Sequence, residues 1–406
     1  MGAEVKTAAL RLMESAVIRA GPGLLNLLAL GLLADRLNTV SYGTYSTAFA
    51  TVTTLGSILF GPIIYGVLPE YSRNAKGEEE SHFVSLIVGV VTVIFGFSIT
   101  IMFVAQGIAG AILATIGSGA MTALQELLRG KLRLWSYGAV ALSQSLTFVG
   151  LIFLLIDHDA PELALWLYAG SCVIGMGVAF ALLGFPSLRL RGIGRLAQAV
   201  KVGGIYTAST LVEGGFILGT RYLFLAFNAR EILAIYSFCI DISQRLVGVM
   251  INLATFQFVP RAYKQAEEEG NVAFLAILRQ GAGVGAITAL ASMLSILGVR
   301  ESGLLPSKIL ALLDPPIFVL IALGLGINRL KKLLVDPVAI RFNKSQFILI
   351  GYLVSAPVTF ASVALVLRCG SYYGVAVVLM CGYSLATFIA RMGYRRVMGA
   401  REKLSV

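Results

Sequence analysis

The chain has 406 residues, of which 57% are hydrophobic and only 13% charged, and its mean hydropathy is +0.86. A soluble domain carries about 25% charged residues, so this composition excludes a soluble globular protein and points to an all-α integral membrane protein. The net charge of +11 would raise nucleic acid as a partner of a soluble protein, but here the basic residues cluster between apolar runs, as membrane topology requires, and no nucleic-acid partner is expected.

Twelve mainly apolar runs of helical length follow one another, at 15–36, 43–70, 82–105, 108–128, 134–156, 163–185, 203–227, 232–260, 273–298, 309–330, 346–368 and 372–394. Strict alternation at period two is absent, which excludes an outer-membrane barrel. The leading "MGAEVKTAALRLMES" is amphipathic and has no cleavable signal pattern. The first span carries Arg19 just before Gly21-Pro22-Gly23, a kink signal. The fourth ends with Glu126 three residues before Arg129. Asp157-His158-Asp159 follows the fifth and reads as a solvated loop. The seventh span holds Glu213 among Thr207, Ser209 and Thr210, and then Arg221. Asp241 and Arg245 lie in the eighth. "GAGVG" at 281–285 falls in the ninth, where close helix packing explains it better than a phosphate loop. Asp314 precedes Pro315-Pro316 near the start of the tenth, the position of a helix cap. The four cysteines, Cys172, Cys239, Cys369 and Cys381, show no metal or disulfide spacing. No cofactor is expected.

Connections after odd-numbered spans hold few lysines and arginines. Those after even-numbered spans hold many, as in "LRGKLR", "PSLRLRGIGRLAQAVK" and "NRLKKLLVDPVAIRFNK". This asymmetry places both termini in the cytoplasm and the protein in the cytoplasmic membrane. A weak repeat supports two halves. Tyr45-Ser46 and Tyr236-Ser237 each open a stretch that reaches a proline 24 positions later, Pro69 and Pro260, then a basic residue, Arg73 and Lys264. Six spans per half is an even number, so the halves would be related by a pseudo-two-fold axis along the membrane normal. The expected organisation is a six-helix lobe at 1–185, a cytoplasmic linker at 186–202, and a second six-helix lobe with a basic tail at 203–406.

The stretches "RAGPGLLNLLALGLLADRL", "YGTYSTAFA", "QELLRGKLRLWSYG" and "GTRYLFLAFNAREILAIYSF" together resemble the polysaccharide flippases of the multidrug/oligosaccharidyl-lipid/polysaccharide exporter (MOP) superfamily. The resemblance covers nearly the whole chain in span number and loop placement. It departs at Thr220-Arg221, where such flippases often have an Asp before the Arg. It implies a V-shaped pair of lobes around a partly cationic cavity. It also implies alternating access that carries an undecaprenyl-diphosphate-linked oligosaccharide from the cytoplasmic to the outer face. Partners implied are that glycan, membrane lipids and the polysaccharide polymerase machinery.

A diphosphate cannot cross about 30 Å of hydrocarbon unaided. Arginine, whose planar fork binds phosphate oxygens in pairs, suits the task. Arg19, Arg221 and Arg245 are therefore the candidate substrate-binding residues. Arg245 is the deepest, and Asp241, four residues before it, can pair with it or with Arg221. Asp241, Glu213, Glu126 and Asp314 are the candidate ion-coupling or cavity acids, for H⁺ or Na⁺. Arg279 reads as a snorkelling side chain, and Arg129 and Arg133 as topology determinants. Two other functions compete with the flippase. A cation-coupled drug or small-molecule antiporter of the same superfamily would favour acids over deep arginines. A membrane polymerase or glycosyltransferase would need a large loop or an added domain, and no connection here is long enough.

Overall fold

The computed structural model describes residues 18, 21–74, 86–96, 108–131, 133–156, 159–184, 193–342 and 346–402. Fourteen helices are found among them: α1 (21–36), α2 (Thr39–Asn74), α3 (Leu86–Gly96), α4 (Ala109–Gly130), α5 (Leu134–Leu155), α6 (Pro161–Leu183), α7 (Ile193–Ala226), α8 (Arg230–Glu268), α9 (Asn271–Glu301), α10 (Ser307–Leu312), α11 (Pro315–Leu334), α12 (Asp336–Arg341), α13 (Gln346–Arg368) and α14 (Tyr372–Glu402). No strand occurs among the described residues. Eight of the helices are long and apolar enough to cross a membrane. The protein is an all-α, multi-pass membrane protein.

The chain divides into two compact units, Met1–Gly214 and Gly215–Val406, with the divide inside α7. In the first unit α4 packs against α2 and α6, and α5 against α6. Small residues let α2 and α4 approach closely: a Cβ on Gly119 would fall 2.3 Å from Phe60 and 2.7 Å from the Gly56 carbonyl. In a bilayer, where lipid is as apolar as leucine, such contact rather than hydrophobic exclusion holds helices together. The α1 helix lies along α5, Asn26 donating to the Ser145 hydroxyl at 3.2 Å. At one end of this unit Arg36 donates to the carbonyls of Ile152, Phe153 and Ile156 in the last turn of α5, where helix carbonyls run out of backbone partners. Beside it Asp159 accepts from the Asn38 backbone, the Asn38 amide and the Ser41 hydroxyl. Asp159, expected in a solvated loop, is exposed there and also clasps the α1–α2 corner. Asp157 and His158 lie outside the described residues.

In the second unit α11 is the central helix, packed on α8, α9 and α14, while α13 pairs with α14. A core of Ala254, Ala262, Ala266, Phe274, Leu278, Leu333 and Val338 joins the far ends of α8 and α11 to α9 and α12. Faces that meet nothing in their own unit are apolar: Ile287 and Leu294 on α9, and Leu353, Val354, Val358 and Leu365 on α13, are exposed. A polar solvent would penalise such stripes; lipid does not.

Two boundaries differ from those expected. The eighth span does not stop at Pro260; α8 runs on to Glu268 with the proline inside it. Proline forfeits one backbone hydrogen bond, but the extra turns bury Ala262 and Ala266 against Phe274 and Leu278. The tenth span is broken, because Leu313 and Asp314 separate α10 from α11. Asp314 caps α11, its Oδ1 accepting from the Ile317 amide at 3.0 Å, and Pro315 takes the first helical position, where a missing N–H is harmless. Gly21, Pro22 and Gly23 are helical. The two repeats occupy corresponding elements. Tyr45-Ser46 on α2 and Tyr236-Ser237 on α8 are all buried, and both helices continue past their proline.

Candidate functional site

The buried charged residues of the second unit, Arg221, Asp241 and Lys331, fall on α7, α8 and α11. Arg221, near the end of α7, is only 1% exposed, and its Nη2 lies 2.7 Å from Oδ1 of Asp241 on α8. The pair is fixed by helix register. Thr220, just before Arg221, is fully buried with its hydroxyl turned back to the Phe216 carbonyl, and Phe216 stacks on Tyr383 of α14. Of the two pairings open to Asp241, the one with Arg221 is formed. A guanidinium enclosed this way neutralises a carboxylate that would otherwise be very costly inside hydrocarbon. Arg245, one turn further along α8, is half-buried.

The helices α8 and α11 come close one turn beyond Arg245. A Cβ on Gly326 would meet Val247 at 3.7 Å, and a Cβ on Gly248 would lie 3.7 Å from Nε of Arg329. Arg329 thus lays its side chain over the bare helix surface at Gly248. Two residues on, Lys331 is 2% exposed. Its ammonium donates to both oxygens of Asp336, at 2.9 and 3.2 Å, and lies 4.6 Å from the centre of the Tyr352 ring. Tyr352 in turn donates to Oδ1 of the buried Asn328. This network links α11, α12 and α13.

The remaining candidates are scattered. Arg19 lies outside the described residues. Glu126 on α4 pairs with Arg129 at 3.2 Å. Glu213 is half-buried on α7, in the first unit. Asp314 is a helix cap that also accepts from the Tyr373 hydroxyl at 3.3 Å. Arg133 donates to the Leu182 carbonyl at 3.3 Å, and Arg279 is exposed. Among the described candidates, the structure brings Arg221 and Asp241 into direct contact, and Arg245 lies one turn beyond Asp241 on α8. Among the described residues, no three His, Cys, Asp or Glu side chains gather as a metal site.

Sequence reading missed Arg329 and the Lys331–Asp336 network. Hydropathy places "NRLKK" in a loop and ends the tenth span at 330. The available signal was the acid at Asp336, five residues after Lys331, which lets the helix carry a lysine into its buried face.

The sequence matches no family model and no curated protein. Solved structures do match in fold. The lipid II flippase MurJ in an inward-closed conformation aligns over 94% of this chain and 87% of its own, with a TM-score of 0.63 and 12% identity. An inward-facing multidrug resistance MATE family transporter of the MOP superfamily aligns over 96% and 100%, with a TM-score of 0.62 and 15% identity. An outward-facing MATE transporter aligns over 98% and 97%, with a TM-score of 0.62 and 16% identity. The chain has the fold of the MOP-superfamily transporters. The likeness extends to both a lipid flippase and drug transporters, and at such identity it fixes the architecture, not the cargo.

Proposed function

We propose that this protein is a transporter that flips an undecaprenyl-diphosphate-linked oligosaccharide across the cytoplasmic membrane, from the inner to the outer face, by alternating access. The observation that carries this reading is the charge on the second unit's apolar helices: Arg221 enclosed with Asp241 between α7 and α8, and Arg245 on α8 and Arg329 on α11 both half-buried. Arginines at hydrocarbon depth are costly and mark the path of a charged cargo. Their fork geometry matches phosphate oxygens. The lysine and arginine asymmetry of the connections supports cytoplasmic termini. With the inside negative, a doubly charged anion moving outward gains about 4–5 kcal/mol per 100 mV. The membrane potential can therefore drive the step with or without a coupling ion.

Arg245 is the residue proposed to meet the diphosphate. Arg221 acts through Asp241, holding that carboxylate neutralised beside it. A polysaccharide polymerase that receives the flipped unit is the partner this cargo requires. Deleting the gene should abolish one surface polysaccharide while its lipid-linked repeat unit accumulates on the inner face. Normal polysaccharide together with altered efflux of cationic drugs would instead establish the second reading, a cation-coupled antiporter. That reading is favoured by one observation, the half-buried Glu213 on the apolar helix α7, which also carries Thr207, Ser209 and Thr210 within two turns. An enzyme of polysaccharide polymerisation finds no support in the fold, whose neighbours are transporters.

A further inference from the structure

The chain passes from one compact unit to the other once, along α7. The divide falls between Gly214 and Gly215, and the helix is continuous there, over Ile193–Ala226. The first part of α7 is seated on α2 of the first unit. A Cβ on Gly203 would fall 2.1 Å from the Pro62 carbonyl oxygen, and one on Gly61 would fall 2.6 Å from the Thr207 hydroxyl. The Thr210 hydroxyl donates to the Tyr65 oxygen at 3.2 Å. The last of these anchors is Gly214, whose Cβ would lie 3.0 Å from the methyl group of Thr54. From Phe216 onward α7 is seated in the second unit. Phe216 is fully buried, stacks on Tyr383 at 5.2 Å and meets Tyr352 edge-on at 5.9 Å. A Cβ on Gly219 would fall 2.5 Å from Phe360. Between the two sets of anchors stands Gly215, and a Cβ there would meet nothing within 4 Å. Gly203, Gly214 and Gly219 let a neighbour come close; Gly215 does not. What it gives the helix is backbone freedom, at a cost in helix stability.

We propose that Gly215 is the joint at which α7 bends as the two units exchange between inward-open and outward-open states. The inference rests on the alternating-access reading and deepens it by naming the residue that takes up the change in backbone angles; it holds for either cargo. A hinge is a short stretch that absorbs a large change in φ and ψ between bodies that move as wholes, and glycine is among the few places where a long helix bends sharply. Here α7 is fastened up to Gly214 on one side and from Phe216 on the other, so the change falls on the residue between them. Bending at that point leaves Glu213 with the first unit and carries the Arg221–Asp241 pair with the second.

Alanine tests the joint cleanly, because its methyl group has room at position 215 and only the backbone preference changes. Gly204 supplies the control. It too lies on α7 with nothing within 4 Å of its Cβ position, but it belongs wholly to the first unit. The full-length protein is prepared with its four cysteines replaced by serine. Spin labels are placed on two exposed positions, Trp135→Cys in the first unit and Arg279→Cys in the second, and the label–label distances are measured in nanodiscs by double electron–electron resonance. The otherwise unchanged chain should give two distances, one for each state. Gly215→Ala should shift their ratio about fivefold, the equilibrium equivalent of the difference in helix propensity between alanine and glycine, and Gly204→Ala should leave it where it was. An unchanged ratio in Gly215→Ala, or an equal shift in Gly204→Ala, overturns the joint and leaves alternating access standing. A single distance before either glycine is changed overturns both.

Discussion

The enclosed Arg221–Asp241 pair allows a quantitative test of what the buried charge of this fold is for. Asp241→Asn leaves the 1%-exposed guanidinium of Arg221 without the carboxylate 2.7 Å away. Breaking a buried pair from one side costs about 3–5 kcal/mol, because the surviving charge keeps its desolvation penalty and loses its compensation. At roughly 2–4 °C per kcal/mol for a unit of this size, the melting temperature in detergent should fall by about 6–20 °C. The double change Arg221→Met with Asp241→Leu removes both charges and keeps much of the volume. It should recover most of that loss, since apolar replacements of buried pairs are commonly neutral or stabilising. The assay is thermal unfolding of the purified variants followed by tryptophan fluorescence, alongside complementation of surface polysaccharide. Full complementation by the double variant assigns the pair a structural role and leaves the diphosphate to Arg245. A double variant as unstable as the single one would refute the reasoning, because the loss would then come from packing rather than from a stranded charge.

Four further outcomes are expected. Cys369 is exposed at the turn between α13 and α14, Cys172 and Cys239 are buried, and Cys381, also exposed, lies midway along the apolar span Tyr372–Gly393 where lipid would cover it; an impermeant maleimide should therefore label wild-type protein in intact cells and fail to label Cys369→Ser, and the absence of wild-type labelling would reverse the inside–outside assignment. Asp336→Asn should destabilise by about 3–5 kcal/mol by stranding the buried Lys331, while Glu268→Gln, which breaks the largely exposed pair with Lys264, should change stability by about 1 kcal/mol or less. Gly119→Ala should destabilise by about 1–3 kcal/mol through overpacking against Phe60 and Gly56, whereas Gly150→Ala, with open space at its Cβ, should be neutral or stabilise by up to about 1 kcal/mol. Arg36→Ala should lower the melting temperature by unbinding the carbonyls at the end of α5, and Arg36→Lys should restore only part of it because one ammonium cannot span them all.

The sequence by itself determined the solvent and the element list. Apolar runs of about 20 residues can only be helices in hydrocarbon, where every backbone polar group must be bonded within its own segment, and each of the twelve expected runs has a described helix within its range. It also marked the paired Tyr-Ser openings of α2 and α8, the Glu126–Arg129 neighbours and the cap at Asp314, because i,i+3 spacing and cap chemistry are local rules. What lay beyond it were contacts between helices. Local spacing could not choose between Arg221 and Arg245 for Asp241, since the choice depends on how α7 is rotated against α8. Nor could it extend α8 past Pro260, which took the burial of Ala262 and Ala266 on α9 to outweigh a lost hydrogen bond. Hydropathy counted Arg329 and Lys331 as loop charge because it sums residues along the chain. Only the packing of α11 among α8, α9, α12 and α13 gave Lys331 its own carboxylate and laid Arg329 across Gly248, two residues apart in sequence and different in what neutralises them.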